Sequence, residues 1–78
     1  MNLEEVKEIL DDIVIADGFD EAVIGYDDRT HRVAYNAYEC IMILMNRDGM
    51  SYDEALEFLE YNTFSAWIGE RTPVFIWI

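Results

Sequence analysis

The sequence predicts a single α+β domain spanning residues 1–78, with elements in the order α-β-β-α-α-β and a three-stranded sheet packed with helices. Three observations predict it. A capping side chain stands three residues before a glutamate at Asn2–Glu5, Asn36–Glu39 and Ser51–Glu54, each ahead of apolar residues at helical spacing. Two short segments rich in β-branched and aromatic residues flank the polar stretch Asp27-Asp28-Arg29-Thr30. The chain then closes on an apolar run, Val74 to Ile78, introduced by Pro73.

The first helix carries Leu3, Val6, Ile9, Leu10 and Ile13 on one stripe, with Glu4, Glu8, Asp11 and Asp12 outside it. It is expected to stop near Asp17-Gly18, where glycine can take the left-handed conformation that ends helices. Ala22–Tyr26 and His31–Tyr35 follow as a β-hairpin whose loop is Asp27–Thr30.

The second helix places Ala37, Cys40, Ile41 and Leu44 inward and stops at Asp48-Gly49. The third sets Ala55, Leu56, Leu59 and Ala66 inward, with Asp53, Glu57 and Glu60 towards water. Asn62-Thr63, both modest helix formers, mark a point where it can be interrupted.

Gly69 and Pro73 bracket Glu70-Arg71-Thr72 as a turn, and Pro73 can begin a strand without its missing N–H. In the last strand, Val74, Ile76 and Ile78 point to one side, Phe75 and Trp77 to the other. A strand apolar on both faces is normally covered on both. Where three short helices do not suffice, the remaining face meets another molecule, and homodimerisation through the sheet is the expectation.

The composition excludes several classes. Hydrophobic residues make up 53% of the chain, enough to offset the entropy of ordering it. The lone Cys40 cannot form an intramolecular disulfide, and one cysteine with one histidine cannot build a structural zinc site. The apolar tail is far shorter than the roughly 20 residues a membrane-spanning helix needs. No basic and apolar leader opens the sequence, so a reducing, cytoplasmic setting is expected. Seventeen acids against five bases give a net charge of −12, which repels nucleic acid and anionic membranes and attracts a basic partner.

The segments YECIMIL, GMSYDEALEFLEYN and AWIGERTPVFI resemble a group of small acidic proteins encoded by phages and archaeal viruses. In that group a tyrosine-led helix containing cysteine precedes an acidic helix and a Trp-, Gly- and Pro-containing ending. The resemblance covers about Gly25 to Ile76. Ser65 stands where the pattern often has glycine, so the approach of backbones near Trp67 is expected to differ. The resemblance implies a viral origin, hence the cytoplasm of a host cell, and a shared fold; it transfers no catalytic residue.

Catalytic chemistry finds no support in the residues. Cys40 sits among the apolar positions of its helix, where a free cysteine behaves as a small hydrophobe, and His31 lies beside an exposed turn. The acids of DDIVIADGFDE lack the alternating ligands and closing glutamate of a calcium loop, so solvation and capping account for them. There is no phosphate-binding glycine loop, nucleophile elbow or paired metal-ligand spacing. No cofactor is expected.

The expectation is a non-enzymatic protein-binding module acting on itself or on a host or viral protein. Its candidate contact residues are Glu57, Glu60, Trp67, Arg71, Phe75 and Trp77. Trp67 and Arg71 are residue types that concentrate in binding hot spots. Alternatively, Trp67 packs the third helix onto the last strand while Glu70 pairs with Arg71, and Asn62 bonds to backbone at a helix irregularity. The sharpest version makes the acidic faces (Glu4, Glu8, Asp11, Asp12, Asp53, Glu57 and Glu60) a mimic of DNA phosphates that inhibits a nucleic-acid-binding protein. The other readings are an assembly accessory acting through the apolar sheet face and a small metal-dependent enzyme.

Overall fold

In a computed structural model describing residues 1–78, the fold is α+β in the predicted order, built on a three-stranded mixed sheet. All three caps form. Asn2 accepts from the Glu5 N–H and opens α1 (Leu3–Ile9), with Glu5 reaching back to the Asn2 N–H. Asn36 opens α2 (Ala37–Asp48) through the Glu39 N–H, and Ser51 opens α3 (Tyr52–Leu59) with a full reciprocal box. Gly49 ends α2 in the left-handed region at φ 68°, which a side chain would strain.

The first helix is shorter than its apolar spacing predicts. It ends at Ile9, which is exposed rather than part of the core stripe, and Leu10 is already extended. Asp11 and Asp12, weak helix formers, precede the β-branched run Ile13-Val14-Ile15. Asp12 turns into the left-handed region at φ 53°. The chain from Leu10 to Ala16 then follows a non-helical path along the core, with Ile13, Ile15 and Ala16 packed against it. A 3₁₀ turn at Asp20–Ala22 leads into the hairpin.

The hairpin forms one residue later than predicted, as β1 (Val23–Asp27) and β2 (Arg32–Asn36). The Asp27 carboxylate explains the shift, since it accepts the N–H groups of Arg29 and Thr30 and fixes the turn from the strand side. These two bonds hold the Asp27 carboxyl below its ordinary pKa. His31 accordingly closes the turn at φ 58° instead of opening β2. A register irregularity between Val23 and Gly25 leaves Ile24 exposed.

β3 (Val74–Ile76) lies parallel to β2, which the α2–α3 crossover permits, so β2 is central and β3 is an edge. The predicted strand ran to Ile78. It stops at Ile76 because that residue pairs with Asn36, the cap from which the neighbouring chain turns into α2. Trp77 and Ile78 have no strand to pair with.

The helices pack on the face bearing Val33 and Tyr35, which are fully buried in one cluster with Val6, Ile41, Leu44 and Leu59. Burying each such aliphatic side chain contributes roughly 1.5–3 kcal/mol. The other face of the sheet carries Gly25, Ala34, Val74 and Ile76 and lies outside this cluster. No helix is long and apolar enough to cross a membrane.

Candidate protein-binding surface

α3 gives way directly to a π-helix, Glu60–Phe64, where the sequence marks a possible interruption. Two polar side chains bond to backbone carbonyls in this turn and just before it. Asn62 Nδ2 donates to the Phe58 carbonyl at 3.0 Å, and Ser65 Oγ donates to the Glu60 carbonyl at 2.7 Å. Such bonds compete with the ordinary helical ladder and accommodate a wider turn. Asn62 therefore does bond to backbone at a helix irregularity. Ser65 thereby anchors the end of that turn.

The wider turn directs Phe64 against the last strand. Its ring lies 4.8 Å from Phe75 and meets Trp77 edge-on at 6.0 Å, while Phe75 stacks on Tyr35 at 5.3 Å. Phe75 and Trp77 thus belong to one aromatic cluster, and Phe64, which the sequence reading missed, joins them. Phe75 is half-buried within it; Trp77 is 54% exposed.

Ala66 lies beyond the π-helix, half-buried, rather than on the inner stripe of a continuous helix. The loop that follows is held from within. Thr72, buried, accepts from the Ile68 N–H at 2.8 Å and donates to the Gly69 carbonyl at 2.7 Å. Gly69, at φ 131°, occupies backbone space that disfavours a side chain. This turn presents Trp67 and Ile68 outward, 71% and 63% exposed. Trp67 therefore does not pack the helix onto the strand.

Arg71 does not pair with Glu70 either. Its Nη1 donates to the carbonyls of Asp11 and Asp12 at 2.8 and 3.3 Å, tethering the chain after α1 to the loop before β3. Those carbonyls are left free by the early end of α1. Of the candidate contact residues, Arg71 is the one whose donors serve the fold.

Glu57 and Glu60 are exposed, as predicted, and neither has a cationic partner. Phe58 and Tyr61 share that outward side, 42% and 84% exposed. Open grooves flank them, one with Leu56 between Asp53, Glu57 and Glu60, the other between Met50 and Phe58. The signal for these two aromatics was present in the spacing, because residues 58 and 61 fall off the Ala55–Leu59 core stripe.

A cleft of about 200 Å³ separates Ile15, Ala16 and Phe19 from Thr63, Ala66 and Ile68. It is smaller than the roughly 300 Å³ at which ligand pockets begin, and every buried side-chain polar atom of the chain already has a partner. Cys40 is fully buried, and burial pushes its thiol up to about 12. His31 is exposed. No group of three His, Cys, Asp or Glu side chains is gathered closely enough to hold a metal ion. Set against known proteins, the chain matches no family model, no curated protein and no solved structure.

Proposed function

We propose that this is a virus-encoded, non-enzymatic protein-binding module acting in the cytoplasm of a host cell. One observation carries the binding reading: Trp67, Ile68, Trp77 and Ile78 are all more than half exposed in the C-terminal twelve residues of a small, highly charged chain. Exposed large apolar side chains are what a binding surface draws on, and tryptophan is among the residues most enriched in binding anchors. The turn bonds of Thr72 and the Phe64 contact hold two of them in place, so little ordering entropy is lost on binding. The viral origin rests on the sequence resemblance alone.

A second reading has an observation of its own. Of 17 side-chain carboxylates only Glu4 and Asp48 are within ion-pair distance of a cation on the same chain. The rest form an unneutralised surface that can compete with DNA phosphates for a basic site.

Affinity capture from host lysate with the wild type, the Trp67→Ala/Trp77→Ala variant and the Glu57→Gln/Glu60→Gln variant separates the two. On the first reading an identified partner survives a high-salt wash and is lost with the tryptophan variant. Loss in salt and with the glutamine variant, with the tryptophan variant still binding, supports the mimic instead. Recovery of only the chain itself with all three proteins overturns both and points to self-association through the sheet.

A further inference from the structure

The outward side of α3 presents Phe58 and Tyr61 among carboxylates that have no cationic partner, and that combination specifies an occupant. A bare cation satisfies Glu57 and Glu60 but leaves the rings in water. A purely apolar segment covers the rings but strips water from carboxylates without pairing them, which is unfavourable. Lysine and arginine meet both demands, because their stems lie along apolar surface, their heads reach carboxylates, and they sit well over aromatic faces. A second copy brings −12 against −12, and nucleic acid or an anionic membrane is repelled in the same way.

We infer that the α3 face, from Asp53 to Tyr61, docks a Lys/Arg-rich amphipathic segment of a partner protein. The segment lies along the grooves beside Leu56 and Phe58, its apolar residues on Phe58 and Tyr61 and its cations on Asp53, Glu57 and Glu60. The π-helix continues this face past Glu60 and keeps Tyr61 outward. The inference rests on the protein-binding reading in its general form, places the contact on the acidic α3 face rather than on the C-terminal tryptophans, and adds the chemistry of the partner.

The test titrates the full-length ¹⁵N-labelled protein with an amphipathic lysine–leucine peptide and, in parallel, with oligolysine of equal charge. Amide shifts are expected to concentrate on residues 53–61, with oligolysine binding more weakly. Tyr61→Ser should weaken peptide binding by at least about fivefold. Glu57→Gln with Glu60→Gln should weaken it about three- to tenfold. Tyr61 is 84% exposed, so its replacement leaves the fold intact, and a wild-type pattern of amide dispersion verifies that. Shifts spread evenly over the acidic surface, equal affinity for oligolysine, or a Tyr61→Ser variant that binds like wild type would overturn the inference. Shifts centred on residues 67–78 would overturn it too while leaving the protein-binding reading standing.

Discussion

The phenolic oxygen of Tyr35 accepts a hydrogen bond from the backbone N–H of Ala16 at 2.8 Å, joining the middle of the central strand to the irregular segment after α1. Tyr35 is fully buried, and the residues on either side of Ala16 have no helix to satisfy their backbone. Tyr35→Phe removes the acceptor and little else. We expect a loss of about 1–2 kcal/mol in urea denaturation with an unchanged slope, and faster amide exchange at residues 13–17. A midpoint equal to that of the wild type would show that the bond does not hold this segment.

Arg71 is predicted to matter for folding rather than for contact. Arg71→Ala frees the carbonyls of Asp11 and Asp12 and should lower stability by roughly 1 kcal/mol, less than a buried charged bond because the pair is exposed. Partner affinity, measured by calorimetry at a temperature where the variant remains folded, should stay within about twofold of wild type. A large affinity loss without a stability loss would restore Arg71 to the binding surface.

Alkaline pH should expose the burial of Cys40. Its thiol ionises near 9.0 when free and near 12 in the folded chain, so the folded state keeps its proton while the unfolded state gives it up. Stability is therefore full below about pH 9 and falls as the pH rises towards 12. Burial raises the pKa of Tyr35 as well, which adds to the same slope. Cys40→Ala should flatten the decline in chemical denaturation followed from pH 8 upward, at the cost of a lower plateau from the cavity. An unchanged slope would contradict the assignment.

The aromatic cluster should divide into residues of the fold and residues of the surface. Phe64→Ala and Phe75→Ala each remove contacts on both sides and should cost about 2 kcal/mol or more. Trp67→Ala, at a 71% exposed position, should stay within about 0.5 kcal/mol of wild type. Trp77→Ala should fall between them, being 54% exposed but edge-on to Phe64. Thermal melts of the four variants check the order.

Those residues also show what was legible in the sequence. Asn2, Asn36 and Ser51 announced three helix starts because capping is a local event decided within four residues. The end of α1 was not legible. The stripe from Leu3 to Ile13 fits a longer helix, against which Asp11, Asp12 and the β-branched run weigh only weakly, and the extended path to Ala16 is held by Tyr35 and Arg71, respectively 19 and 59 or 60 positions away. The length of β3 was likewise decided elsewhere, by the point where Asn36 leaves the sheet. In the candidate surface, the exposure of the two glutamates was readable from local pattern, whereas Trp77, expected within the last strand, lies beyond its end. Trp67's exposure and Arg71's inward role depend on a turn whose bonds run through Thr72, and no spacing rule reports that.

Amide hydrogen exchange on this chain, free and bound to the partner retained at high salt, tests the protein-binding reading most directly. Slowed exchange at residues 67–69 and 76–78 is the predicted result, because the amides beside Trp67, Ile68, Trp77 and Ile78 are the ones a partner would shield. Slowing confined to the β1–β2 hairpin, or none anywhere on the chain, would contradict it.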